Sequence, residues 1–264
     1  MRVSAGTSGF SYPAWKGSFY PADLPGQRML EHYSRQLPAV EANATFYRIP
    51  RPETLAGWRA AVPAGFTFAL KAPQRVTHVL RLRDAEGPLK AFYRAAAELG
   101  PTLGAVLYQL PPSFRKDLPR LDGFLSALPA GGRTAFEFRH ASWLSDDVYE
   151  LLRARGAALC IADTPDGTTP AIPTARFGYL RLRRPDYSPS ALGVWAERIL
   201  AQPWDEAVVF FKHEDGARGP ALARELQALL GAPPGVTIPV SSRDEEGATG
   251  QPADTRDASD TMLG

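Results

Sequence analysis

Guanidinium and carboxylate groups recur in this chain two residues apart, as Glu137 with Arg139 and as Arg181 with Arg183. In an extended strand that spacing puts both members on one face. Glu41, Asn43 and Thr45 share the same parity. Lys71, Gln109 and Asp163 stand at or beside the ends of apolar runs, and Lys212-His213 closes another. If Lys71, Arg139, Arg181, Arg183 and Lys212 meet Glu41, Glu137 and Asp163 in one place, cations exceed acids by two. Buried charges are costly unless paired, so two readings stand side by side. The residues form an internal ion-pair network, or the surplus guanidinium forks hold an anion such as a phosphate or carboxylate.

The remaining candidates suit proton transfer and stacking. Glu137, Asp163 and His78 are the candidate acid–base groups. Asp163 has helix capping as its structural alternative. Lys71 is a second electrostatic group, or a Schiff-base nucleophile if its neighbours depress its proton affinity. His140 and His213 also fall just beyond or at strand ends, as hydrogen-bonded structural residues or as acid–base groups. Glu41, Glu137, Asp163 and the histidines provide a second reading, a divalent-metal hydrolase or isomerase. No HxH or HxxxH spacing supports it, so no metal ligand is assigned and any cofactor is left unknown. Tyr47, Trp143 and Tyr187 follow strands, and Phe10, Tyr12, Trp15, Phe19 and Tyr20 crowd the first loop. They stack on a ligand ring or form an apolar lid.

Such residues need a scaffold that gathers strand ends. Apolar runs predict strands at Val3–Gly9, Ala39–Phe46, Thr67–Lys71, Ala105–Leu110, Thr134–Phe138, Ala158–Asp163, Phe177–Arg183 and Ala207–Lys212. Helical spacing lies between them at Arg28–Leu37, Pro52–Ala61, Pro88–Leu99, Leu118–Leu128, Asp146–Arg155 and Ala191–Ala201, and again at Pro220–Leu230. The gap Thr164–Arg176 reads as loop. Eight strands with intervening helices predict an α/β fold, a single closed (β/α)8 TIM barrel, whose sites lie at the C-terminal strand ends. The alternative is a doubly wound open sheet. Its glycine fingerprint is missing, since Gly6-Thr7-Ser8-Gly9 matches neither the dinucleotide nor the P-loop pattern.

Composition narrows the class further. The chain has 264 residues, of which 44% are hydrophobic and 22% charged, as in an ordinary globular domain. No apolar stretch reaches membrane-spanning length. Its single cysteine, Cys160, allows neither an intrachain disulfide nor a multi-cysteine metal centre. With the absence of an apolar segment after Met1, this points to a cytoplasmic location. Residues 233–264 hold two Arg and six acids with no sustained apolar period. The expected organisation is a barrel domain over 1–232, then a linker and disordered acidic tail over 233–264. The positive excess belongs to the barrel.

Several segments resemble one family. Gly6-Thr7-Ser8-Gly9-Phe10-Ser11-Tyr12-Pro13-Ala14-Trp15-Lys16-Gly17 is similar to the opening signature of the YecE-like proteins, the domain of unknown function 72 family. The similarity continues at Val40-Glu41-Ala42-Asn43-Ala44-Thr45-Phe46-Tyr47, Phe68-Ala69-Leu70-Lys71-Ala72-Pro73, Leu107-Tyr108-Gln109-Leu110-Pro111-Pro112 and Phe136-Glu137-Phe138-Arg139-His140-Ala141-Ser142-Trp143. The resemblance implies a TIM barrel and supplies no activity. Where many relatives carry His-Gly and an Asn pair after the last two strands, this chain reads Arg181-Leu182-Arg183-Arg184 and Phe211-Lys212-His213-Glu214. Its mouth is therefore expected to be more basic.

The functional expectation is a small anionic ligand, phosphorylated or nucleotide-like, bound at the barrel mouth, with general acid–base catalysis as a further step. The ligand contacts expected are Glu41, Asn43, Tyr47, Gln109, Arg139, Trp143, Arg181, Arg183, Lys212 and His213. A nucleic-acid-binding module is the third class. It is disfavoured because the cations are expected in a concave mouth and no continuous basic helix is present. No membrane partner is expected.

Overall fold

Apolar residues alternate with small or polar ones along each strand, and the computed structural model shows where each parity points. The structure describes residues 1–231; the tail expected over 233–264 lies outside the described residues. The strands are β1 (Arg2–Ser8), β2 (Ala39–Ala42), β3 (Thr67–Lys71), β4 (Leu103–Gln109), β5 (Thr134–Glu137), β6 (Ala158–Thr164), β7 (Gly167–Thr168), β8 (Phe177–Leu182) and β9 (Glu206–Phe211). All but β7 pair in parallel in the order β5-β4-β3-β2-β1-β9-β8-β6, and β5 pairs with β6 to close the ring. The result is a (β/α)8 TIM barrel.

Helices α1 (Met29–Ser34), α2 (Ala44–Tyr47), α3 (Pro52–Ala60), α4 (Glu86–Ala96), α5 (Leu118–Ser126), α6 (Asp146–Ala154), α7 (Pro189–Leu200) and α8 (Arg218–Gly231) connect the strands. Start signals agree with capping chemistry: Asp117 accepts from the Arg120 amide before α5, and Ser188 from the Ala191 amide before α7. Leu121, Phe124 and Leu125 of α5 and Val148, Tyr149 and Leu152 of α6 turn inward as a helical stripe. Outward strand residues such as Phe68, Tyr108, Phe136 and Ile161 meet these helices and form the main core.

The ring interior is a second, smaller core. Ala39, Ala69, Ala105, Ala135, Ala158 and Cys160 leave room that Phe177, Tyr179 and Phe210 fill from the opposite side. This pairing of small with large residues fills a barrel without voids. Gly6 belongs to the same economy of space, because a Cβ there would lie 1.9 Å from the Ala39 carbonyl oxygen on the paired strand. Gly6→Ala is expected to cost about 1–3 kcal/mol, read from a urea midpoint, since backbone rather than a flexible side chain must yield.

Thr67–Lys71 keeps the bounds read from sequence; the other strand ends shift, mostly by one or two residues, and three differences bear on the site. The run Ala39–Phe46 stops as strand at Ala42 and turns into α2, where the Thr45 hydroxyl donates to the carbonyls of Ala42 and Lys71. A hydroxyl that satisfies carbonyls across the turn competes with ladder pairing. Thr134–Phe138 ends at Glu137. The expected loop Thr164–Arg176 carries β7, which folds back antiparallel onto β6 through Asp163↔Thr168.

Candidate functional site

The mouth is the next inward layer above the alanines. Moving two residues on from Gly6, Ala39, Ala69, Leu107, Ala135, Cys160, Tyr179 and Phe210 gives Ser8, Glu41, Lys71, Gln109, Glu137, Ala162, Arg181 and Lys212. Every strand but β6 therefore offers a polar side chain at this level.

Arg181 holds the centre. One of its terminal nitrogens donates to Glu137 Oε2, and the other donates to Glu41 Oε1 at 2.8 Å. Glu41 also accepts from Ser8 Oγ and from the Tyr179 hydroxyl, both at 2.7 Å. Glu137 Oε1 accepts from Gln109 Nε2 at 2.9 Å and from Arg139 Nε at 3.0 Å. Arg183 Nη1 stands 3.7 Å from the same oxygen. Arg181, Glu41 and Glu137 are almost fully buried, so these contacts act at low dielectric. Burial alone pushes both carboxylates up. The Arg181 guanidinium reverses this, assisted by Arg139 at Glu137, and holds both below the usual carboxylate range, Glu137 at about 2.

The charges do not balance. Lys71, Arg139, Arg181 and Arg183 surround two carboxylates, both already engaged on each oxygen. Lys71 pairs with no acid among the described residues and sits 3.8 Å from the Phe46 ring centroid. Burial, with Arg181 next in effect, lowers its ammonium to about 8. Burial and then Lys71 and Arg139 lower His78, whose ring packs edge-on against the same Phe46 at 5.0 Å. Burial and Arg181 likewise lower Arg183, whose Nε is buried without a partner among the described residues.

A cleft of about 560 Å3 opens beside this cluster, lined among others by Glu137, Arg139, His140, Ala162, Thr168 and Arg183. Its position follows from the layer above: Ala162 is the small side chain among polar ones, and the β6–β7 hairpin forms one wall. That volume is within the range of small-molecule sites.

A family model described as "Protein of unknown function DUF72" matches residues 4–245. The chain belongs to the DUF72 family. It is 31% identical over 155 residues to UPF0759 protein YecE of Escherichia coli (strain K12), covering 58% of this chain and 54% of that protein. It is 29% identical over 169 residues to UPF0759 protein YunF of Bacillus subtilis (strain 168), covering 60% of each. These matches span little more than half the length of the curated relatives. Among solved structures, a DUF72 family protein of Thermotoga maritima superposes with a TM-score of 0.74 at 27% identity, covering 87% of this chain and 99% of that one. A DUF72 family protein of Enterococcus faecalis superposes at 0.72 with 22% identity, covering 88% and 98%, and shows the shared fold.

Within this DUF72 barrel the residues singled out from sequence divide into groups. Glu41, Lys71, Gln109, Glu137, Arg139, Arg181 and Arg183 come together, with His78 beside Lys71. Lys212 shares the inward parity but is exposed and makes no ion pair among the described residues. Asn43, expected to share the parity of Glu41, lies in the turn before α2, where strand alternation has ended. Tyr47 ends α2 with 79% of its surface exposed.

Asp163, Trp143 and His213 go elsewhere. Asp163 shares the outward parity of Leu159 and Ile161 and accepts from Tyr187 Oη at 2.8 Å, from Arg184 Nε at 2.9 Å and from Thr168 Oγ1. Trp143 is fully buried, stacks on Phe138 at 4.9 Å and donates to the Phe114 carbonyl. It is packing, not a ligand contact. His213 follows outward Phe211 and bonds the Arg184 carbonyl. The aromatic opening segment buries Trp15, Phe19 and Tyr20 in the main core, with Trp15 Nε1 donating to the Glu214 carbonyl.

The sequence reading missed Ser8, Tyr179 and Ala162. Extending the inward parity along the first, sixth and seventh predicted strands would have found all three. No three of His, Cys, Asp and Glu assemble a metal-holding group among the described residues, so the donor set of the metal reading does not come together. No helix among them is long and apolar enough to cross a membrane.

Proposed function

We propose that this DUF72 protein binds a small anion, a phosphorylated or carboxylated metabolite, in the cleft beside Arg139 and Arg183. The observation that carries this reading is the surplus of cations around two saturated carboxylates, with the Arg183 Nε buried and, among the described residues, unpartnered. A guanidinium held there offers a charge-assisted donor to an incoming oxyanion. Arg181, whose two terminal nitrogens are taken by Glu41 and Glu137, positions the cluster and does not touch the ligand. Glu137 is likewise an anchor for guanidinium groups. A proton-transfer step would fall to Lys71, whose ammonium burial and Arg181 lower to about 8, and to His78, which burial and Lys71 keep in the neutral form, since the paired carboxylates are held ionised by Arg181.

A thermal-shift series with inorganic phosphate, sugar phosphates, nucleotides and carboxylates, each with and without divalent metal, tests the proposal. A ligand at about 100 times its Kd adds about 2.7 kcal/mol to stability. Arg183→Ala should weaken that ligand by about 1.5–3 kcal/mol, roughly 10- to 150-fold, and Arg183→Lys should recover only part. Ala162→Leu should weaken binding without touching a charge, because it pushes three more carbons into the cleft beside Glu137 and Arg183. If no anion stabilises the wild type, or both variants respond as it does, the arginines form only an internal network.

A further inference from the structure

The chain has five lysines, and four of them, Lys16, Lys90, Lys116 and Lys212, are exposed. Lys71 is the exception. Its position at the inward end of β3 draws the amine into the mouth. There it lies against the Phe46 ring and within 4.0 Å of no carboxylate oxygen among the described residues. Glu41 and Glu137 are near enough to act on it electrostatically, but both are engaged with Arg181 and their other donors. A permanent anion anchor would be better served by a third guanidinium, which keeps its charge at any physiological pH. An ammonium half-buried beside the Arg181 guanidinium, with no carboxylate paired to it, is instead suited to losing its proton, although the Phe46 face, Glu41 and Glu137 act against the loss.

We propose that Lys71 is a nucleophile that forms an imine with a carbonyl compound carrying an anionic group, either an oxo acid or a phosphorylated aldehyde or ketone. This rests on the anion-binding reading, since Arg139 and Arg183 hold the anionic group while the carbonyl carbon faces Lys71. The neutral amine nitrogen bonds to the carbonyl carbon, and the carbonyl oxygen takes the proton that nitrogen sheds, giving a carbinolamine. A second proton moves from nitrogen to that hydroxyl, which leaves as water as the carbon–nitrogen double bond forms. No oxidant or metal is needed. His78 packs edge-on against the same Phe46, with Thr77 Oγ1 2.9 Å from its Nδ1. Its neutral imidazole is placed to pass the proton between nitrogen and oxygen. The amine's proton affinity, lowered by burial and by Arg181 to about 8, leaves a substantial neutral fraction near physiological pH.

The test is reductive trapping on the intact wild-type chain, followed by peptide mapping. Pyruvate, glyceraldehyde 3-phosphate and acetone are each mixed with protein and sodium borohydride near neutral pH, with and without inorganic phosphate. The expected result is reduced adduct on Lys71 more than about tenfold faster than on Lys16, Lys90, Lys116 or Lys212 with at least one anionic carbonyl, reflecting its larger neutral fraction. Phosphate should slow it, and His78→Asn should slow it further without changing phosphate-induced stabilisation. The four exposed lysines serve as controls within the same molecule. Labelling of Lys71 no faster than theirs by any of the three carbonyls overturns the inference, even if phosphate stabilises the protein. Preferential labelling of Lys71 that is equal for acetone and the anionic carbonyls, and indifferent to phosphate, keeps the nucleophile and overturns the anion site.

Discussion

Arg181→Ala is expected to lower stability by about 3–5 kcal/mol, because it strands two carboxylates in the barrel interior. Arg181, Glu41 and Glu137 each expose 3% or less of their side chains, so water cannot replace the lost guanidinium. The pH dependence should separate this cause from simple loss of packing. In the wild type both carboxylates lie below their ordinary value of 4.5 when folded, Glu137 at about 2. Their contribution is therefore present above about 4.5, where the unfolded groups titrate, and is lost as pH falls through the folded values. In the variant, burial without the cation raises them above the unfolded value. Their contribution is then greatest in acid and is lost as pH rises through the raised value. The deficit between the two proteins should thus be largest near pH 7 and shrink toward about pH 4. Urea unfolding at several pH values measures it. A deficit that does not change with pH would mean that the carboxylates are not what Arg181 stabilises. If Arg181→Ala does not fold, Arg181→Met with Glu41→Gln and Glu137→Gln should, since uncharged groups replace the buried Arg181–Glu41–Glu137 triad and the cations left behind are partly exposed.

Asp163→Ala should cost about 2–3 kcal/mol while leaving anion binding far less affected than Arg183→Ala does. The Tyr187 hydroxyl, buried against Asp163, loses its acceptor, and Thr168 loses the contact that pins β7 to β6. Arg184 is half exposed and adds little to the loss. Tyr187→Phe removes the other end of the same bond, so the two changes combined should cost less than the sum of the singles. Calorimetry of both singles and the double, with phosphate titrated into each, checks this. A loss of phosphate binding in Asp163→Ala equal to that in Arg183→Ala would place Asp163 in the ligand site after all.

The sequence by itself determined the barrel. Apolar runs of strand length alternating with helical stripes are a local property, and local propensity and tertiary packing agree along nearly all of residues 1–231. Sequence also determined that the polar residues gather at strand ends. Strand parity is a strict period of two, so Glu41, Lys71, Gln109, Glu137 and Arg181 could be placed on one layer wherever the strand continues. Parity lost its meaning where the strand stopped early. Asn43 and Thr45 fall in a helical turn because a threonine hydroxyl across from β3 competes with the ladder. Parity also has an absolute sense that only packing supplies. Asp163 and His213 are odd-numbered neighbours of inward Ala162 and Lys212, and they point outward because the alanine and aromatic residues of β6 and β9 fill the interior. Charge counts in sequence cannot say who pairs with whom. Tertiary structure sent Asp163 to Arg184 and Tyr187, spent Glu41 and Glu137 on Arg181 and, among the described residues, left Arg183 with an unpartnered nitrogen and Lys71 with no carboxylate. Those assignments depend on contacts between residues as much as 140 positions apart, which no local pattern encodes.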